Sequence, residues 1–131
     1  MDLPESYIEQ GDYFPAETSY EAACRLLELP DRPTAIFCCN DLSAVSTYRA
    51  AREHKIPLPK QLSVMGFDDI FPADQLMPSL TSVHQPFSEI AQRAVQMIID
   101  NRNDNPGDMH VILPTSVVIR ESTVPPQSSA R

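Results

Sequence analysis

The carboxylates Asp68 and Asp69 close the apolar stretch "LSVMGF", and Asn40 and Asp41 close a second one, "AIFCC". An ionised carboxylate only accepts hydrogen bonds, and its two oxygens take several donors at once, each charge-assisted bond contributing about 1.5–3 kcal/mol. Vicinal hydroxyls of a sugar or a ribose suit that geometry. Asp and Asn also cap helices and close turns, so a binding and a purely structural reading stand side by side for Asn40 and Asp68. No catalytic constellation accompanies them. His54, His84 and His110 lie far apart, and none has Ser, Cys or Asp at a motif spacing. Neither a glycine-rich phosphate loop nor a metal-ligand cluster is present in the sequence. Cys24, Cys38 and Cys39 form neither a CxxC pair nor a zinc spacing and read as reduced, buried thiols. The chemistry on offer is binding rather than catalysis, with no cofactor and no metal implied.

Such side chains need elements that carry them to one place. Tyr7 to Gln10 is a weak strand candidate ending at Gly11-Asp12. Thr18 and Glu21 have capping-box spacing, and Tyr20, Ala23, Cys24 and Leu27 share a helical stripe that stops near Pro30. "TAIFCC" predicts a buried strand, with Asn40 placed to cap the helix whose stripe is Ala44, Val45, Tyr48 and Ala51. "IPLPK" is a short rigid connection and "LSVMGF" the next buried strand. A proline-rich loop over 69–79 leads to the short apolar segment Leu80 to Val83. Phe87, Ile90, Ala91, Ala94, Val95 and Ile98 then give the strongest helical periodicity in the chain, and "HVILPTSVVIRES" is a final extended segment. Continuously apolar strands alternating with helices predict an α/β domain: a mostly parallel open sheet with helices on both faces. In such sheets ligands bind beyond the carboxyl ends of the strands, where Asn40, Asp41, Asp68 and Asp69 emerge.

The chain's 131 residues suffice for one domain with a real core. Its formal charge of −8, without any basic run, argues against this chain gripping nucleic-acid phosphates by itself. No apolar run is long enough to span a membrane, and the N-terminus lacks the basic start of a signal peptide, so a cytoplasmic location is expected. "VPPQSSAR", residues 124–131, has little to bury and reads as a disordered tail.

The ordered set "RPTAIFCCNDLSAVSTYRA", "IPLPKQLSVMGFDDI", "PSLTSVHQP" and "LPTSVVIREST" resembles the C-terminal part of the lactose-repressor (LacI/GalR) family of bacterial transcription regulators, over about Pro4 to Pro125. The resemblance implies a periplasmic-binding-protein-like (type I) C-terminal subdomain, incomplete here. It would form one wall of a cleft for a small effector, a sugar or a nucleobase. Carried over by position, Asp68 resembles the carboxylate that takes ligand hydroxyls, Tyr13 the stacking aromatic, Phe37 the cleft aromatic and Asn40 the polar contact after it. Gln85 and Phe87 lie where the family's chain crosses to its other subdomain. By pattern alone, Phe37 and Phe87 read as core.

The family resemblance makes residues 1–123 an effector-binding and dimerisation region. It assigns the helix over 86–103 to a subdomain absent here, leaving its apolar stripe without a partner, as in a piece of a longer parent. DNA would be bound only through a helix-turn-helix that this chain lacks. Dimerisation would use the helix after "ND" and the segment before "LTS", with Val45, Tyr48, Phe71, Leu76, Met77 and Leu80 as interface residues. Lys55 and Ser46 depart from the glycines usual in the family. The competing functions are a stand-alone periplasmic-type sugar-binding protein, and a phosphoacceptor receiver domain, which lacks its lysine at a late strand end.

Overall fold

The structure, a computed structural model, describes residues 3–11, 16–102 and 110–126. The apolar stretches fold as strands. β1 (Ala35–Phe37) pairs in parallel with β2 (Ser63–Asp68), Ile36 opposite Val64, and β2 pairs in parallel with β3 (Thr81–His84), Gly66 opposite Ser82. β4 (Ser116–Val118) returns antiparallel to β3, so the sheet runs β1-β2-β3-β4 and is mostly parallel with one antiparallel edge. Helices α1 (Ala16–Leu27), α2 (Asp41–Glu53) and α3 (Phe87–Arg102) complete the architecture.

One core joins α1, α2 and one face of the sheet. Ala23, Leu26 and Leu27 of α1 meet Ala44, Ala50 and Ala51 of α2 over Ile36, Leu62, Val64 and Leu80. Small residues on α2 let its axis approach the strands closely, and Ser46, buried, donates its hydroxyl to the Ala16 carbonyl at 3.2 Å, tying α2 to the start of α1. The side chain of Asn40 accepts from the Ser43 amide at 2.7 Å, the predicted N-cap of α2. Lys55, just past α2, has φ 56, the left-handed conformation in which glycine avoids a Cβ penalty. Lys55→Gly is therefore expected to raise stability by about 0.5–1 kcal/mol, strain relief outweighing the extra freedom of the unfolded chain. A urea melt with an unchanged or lower midpoint would contradict this.

Three expectations need correction. Tyr7 to Gln10 is not a strand: Glu5–Tyr7 is a single 3₁₀ turn, the Tyr7 hydroxyl donates to the Asp31 carbonyl, and Glu9 pairs with Arg25 of α1 at 2.8 Å. Side-chain anchors to α1 and the loop after it hold this segment, so it needs no sheet edge. Thr18 is not an N-cap, because α1 already starts at Ala16. The tail is not free from residue 124 onward. Val124 donates its amide to Ser63 Oγ at 3.2 Å, and Pro126 lines a cleft beside β1 and β2. Residues 127–131 lie outside the described residues.

Both packed helices lie on one face of the sheet. The other carries Ala35 and Phe37, exposed, with Met65 and Phe67 half-buried. α3 leaves the rim without packing on either face: Val95 is 56% and Ile98 61% exposed, and Phe87 and Ile90 are exposed as well. Each such side chain left wet forgoes about 1.5–3 kcal/mol, so α3 presents an uncovered apolar stripe. No helix among the described residues is long and apolar enough to cross a membrane.

Candidate functional site

The carboxyl ends of β1, β2 and β3 converge on one rim. β2 ends in two successive residues with positive φ, Asp68 at 107° and Asp69 at 58°. That conformation is uncommon for residues other than glycine, Asp and Asn being the most tolerant. Asp68 Oδ1 accepts from Gln85 Nε2 at 2.7 Å, and the Gln85 amide reaches the Asp68 carbonyl at 3.4 Å. Two predicted site residues, the last of β2 and the one that follows β3, are thus joined directly. No bond from the described residues reaches the second Asp68 oxygen, which leaves an acceptor at the rim.

Asp69 turns the other way. Its Oδ1 accepts from Arg120 Nη2 at 2.6 Å and its Oδ2 lies 3.1 Å from His84 Nδ1. Arg120 also donates to the Leu80 carbonyl at 2.7 Å, which ties the guanidinium to the residue before β3. Beneath the rim, Asp41 is fully buried and accepts from the Ser82 hydroxyl at 2.6 Å and from the Ile70 amide at 2.8 Å. Burial pushes the Asp41 carboxyl above the usual carboxylate range. The two hydrogen bonds pull it back, while the charges of Asp68 and Asp69 push it further up.

Phe37 is 62% exposed and meets Phe67 edge to face, ring centroids 6.5 Å apart. An aromatic edge therefore sits one residue before Asp68, and the core reading of Phe37 is corrected: its strand position points to the open face. Phe87, 46% exposed, opens α3, its amide bonded to the Gln85 carbonyl at 2.8 Å. Asn40 is buried, its side-chain oxygen is engaged by the cap, and its amide group donates to Cys39 Sγ at 3.6 Å. Tyr13 lies outside the described residues.

Of the cysteines, Cys38 is buried and its thiol is pushed up to about 12 by burial, which makes it inert, whereas Cys39 is exposed and corrects the expectation of uniformly buried thiols. Among the described residues no three His, Cys, Asp or Glu side chains are placed to hold a metal ion.

The residues expected at a dimer interface divide. Val45, Tyr48, Leu76 and Met77 line a groove of about 530 Å³, with Met77 88% exposed, and Phe71, outside that lining, is 80% exposed. Leu80 does not belong with them. It is fully buried in the core, so its side chain is unavailable to a partner. Sequence reasoning missed Ser82 and Arg120, both central to the rim. Their contacts span 41 and 51 residues and leave no local signal.

A mostly parallel sheet with a polar rim at its strand ends defines a ligand-binding α/β domain of periplasmic type. The family model for the periplasmic binding protein-like domain matches residues 2–123. The HTH-type transcriptional repressor PurR of Escherichia coli is 37% identical over 112 residues, covering 83% of this chain and 33% of the repressor. Among solved structures, the complex of the transcriptional regulator CelR with cellobiose aligns at a TM-score of 0.85 and 27% identity, over 93% of this chain and 37% of that one. The lac repressor dimer bound to operator and the anti-inducer ONPF aligns at 0.81 and 27%, over 88% of this chain and 40% of that one. The chain belongs to the LacI/GalR family of the periplasmic-binding-protein-like fold and corresponds to its C-terminal effector-binding region. It spans about a third of the length of the curated relatives it matches.

Proposed function

We propose that this chain is the effector-sensing and dimerisation part of a LacI-type transcriptional regulator. It binds a small sugar or purine-like molecule and controls DNA binding through a helix-turn-helix carried elsewhere in the parent protein. The observation that carries the reading is Asp68, held by Gln85 at the end of β2 with an acceptor left at the rim, one residue after Phe67, whose ring meets the exposed Phe37. A carboxylate for hydroxyls next to an aromatic surface is the combination that takes a sugar ring or a nucleoside. α3 begins two residues after Gln85 and bears an apolar stripe without a partner. This supports a second subdomain as its cover and the Gln85–Phe87 crossover as the hinge. Met77, Phe71 and the groove beside α2 support a symmetric dimer surface. The net charge of −8 leaves DNA contact to another part of the protein.

The test uses the native protein, isolated from its source cells with an antibody to this chain. Disaccharides and nucleobases are titrated in while the melting temperature is followed. A saturable upward shift with one chemical class is the expected result. Absence of any shift across both classes would sink the effector reading.

A further inference from the structure

We infer that Asp41 is a positioning residue for the candidate effector carboxylate: it latches the Asp68–Asp69 turn in its positive-φ form without touching the effector. The latch runs through two routes. Asp41 Oδ2 accepts directly from the Ile70 amide at 2.8 Å. Asp41 Oδ1 accepts from the Ser82 hydroxyl at 2.6 Å, and that same oxygen of Ser82 accepts from the Asp69 amide at 3.2 Å. The two amides that follow Asp68 therefore both end on the Asp41–Ser82 unit.

Two successive non-glycine residues at positive φ are costly and persist only where their surroundings over-determine them. The latch supplies that determination. Its position is also guarded by the sequence. Gly66 of β2 passes so close to Asp41 Oδ1 that a Cβ built there would sit 2.2 Å away, so the strand leaves room for this carboxylate and for nothing larger. A buried carboxylate is expensive unless fully bonded, and an apolar side chain would fill the same space at lower cost. What an apolar residue cannot do is accept from Ile70 and Ser82 at once. Released from the latch, residues 68 and 69 would relax toward the extended region, and Asp68 would part from Gln85.

The role given to Asp68 rests on the proposed function, whereas the latch is tested without a ligand. Hydrogen exchange and side-chain amide signals are followed by NMR on the 131-residue chain, comparing wild type, Asp41→Asn and Ser82→Ala. Asn keeps the shape of Asp41 but turns one acceptor into a donor. In Asp41→Asn the Ile70 and Asp69 amides are expected to exchange about 10-fold faster or more, the loss of a bond to a charged group. The Gln85 side-chain amide should move toward the position of a free glutamine. The amides of Cys38 and Val64, bonded to Met65 and Ser122 within the core, should keep their protection.

Unchanged Ile70 exchange and an unchanged Gln85 signal would overturn the latch. So would a parallel loss of protection at Cys38 and Val64, which would make Asp41 a general fold residue. If Asp41→Asn does not fold, Ser82→Ala decides by the same criteria, with Asp69 as its reporter. A local response in these variants alongside a native protein that binds no sugar or nucleobase would support the latch and remove the effector reading alone.

Discussion

Gly66→Ala is expected to unfold the domain, or to leave it about 3 kcal/mol or more less stable in a urea melt, at the upper end of overpacking costs. The added methyl would lie 2.2 Å from Asp41 Oδ1 and 2.9 Å from Leu80 Cδ2. Neither neighbour can retreat. Asp41 is fully buried and held by Ser82 and Ile70, and Leu80 is fully buried in the core. The backbone offers no competing explanation, because none of the described glycines has positive φ. The effect is one of space. A double-mutant cycle isolates the cause: in an Asp41→Ala background Gly66→Ala should cost much less, since the main obstacle is gone. A loss below about 1 kcal/mol in the wild-type background would show that β2 can shift away from α2, contrary to this account of a tightly packed core.

Asp68→Asn should weaken effector binding by about 10- to 100-fold, the worth of one charge-assisted bond, while leaving the melting curve nearly unchanged. Asparagine is preferred to alanine here for a reason specific to the site. At φ 107 an alanine adds backbone strain, whereas Asn tolerates positive φ and still offers one oxygen to Gln85. The substitution removes the charge and one acceptor and little else. Titration of wild type and variant by calorimetry, with the ligand class found by thermal shift, reads the difference. Equal affinities together with equal melting would remove Asp68 from the site.

Much of the frame was legible because it rests on local chemistry. The apolar stretches around Ile36 and Val64 read as strands, and Asn40 before a helical stripe read as a cap, since each signal lies within a few residues of its effect. Illegible were the features built from distant partners. Leu80 opens a short apolar segment and the family resemblance places it at a dimer surface, yet it is fully buried in the core. Ser82 and Arg120 are ordinary residues of extended segments until the fold places one on Asp41 and the other on Asp69. Tyr7 to Gln10 has strand-like residues, but the anchors at Asp31 and Arg25 decide its conformation. The site shows the same division. Asp68 stands out by type and position and Phe37 only through the family resemblance, whereas the Asp68–Asp69 turn is bonded to Asp41, whose burial no local pattern reveals.

Ser122 carries a consequence for how the protein is made. Its hydroxyl donates to the Val64 carbonyl at 2.6 Å and accepts from the Thr81 amide at 2.8 Å, while its carbonyl takes the Val64 amide at 2.9 Å, so one serine rivets β2 to β3 at their entry. These contacts join positions 58 and 41 residues apart. On a ribosome, β2 and β3 emerge long before the rivet does, and α3 must be made in between. Nascent chains short of Ser122 therefore leave the Val64 backbone groups and the Thr81 amide at the entry of β2 and β3 without this partner. The entry of β2 and β3 can lock only once residue 122 has emerged, which makes this a late step in the folding of the domain.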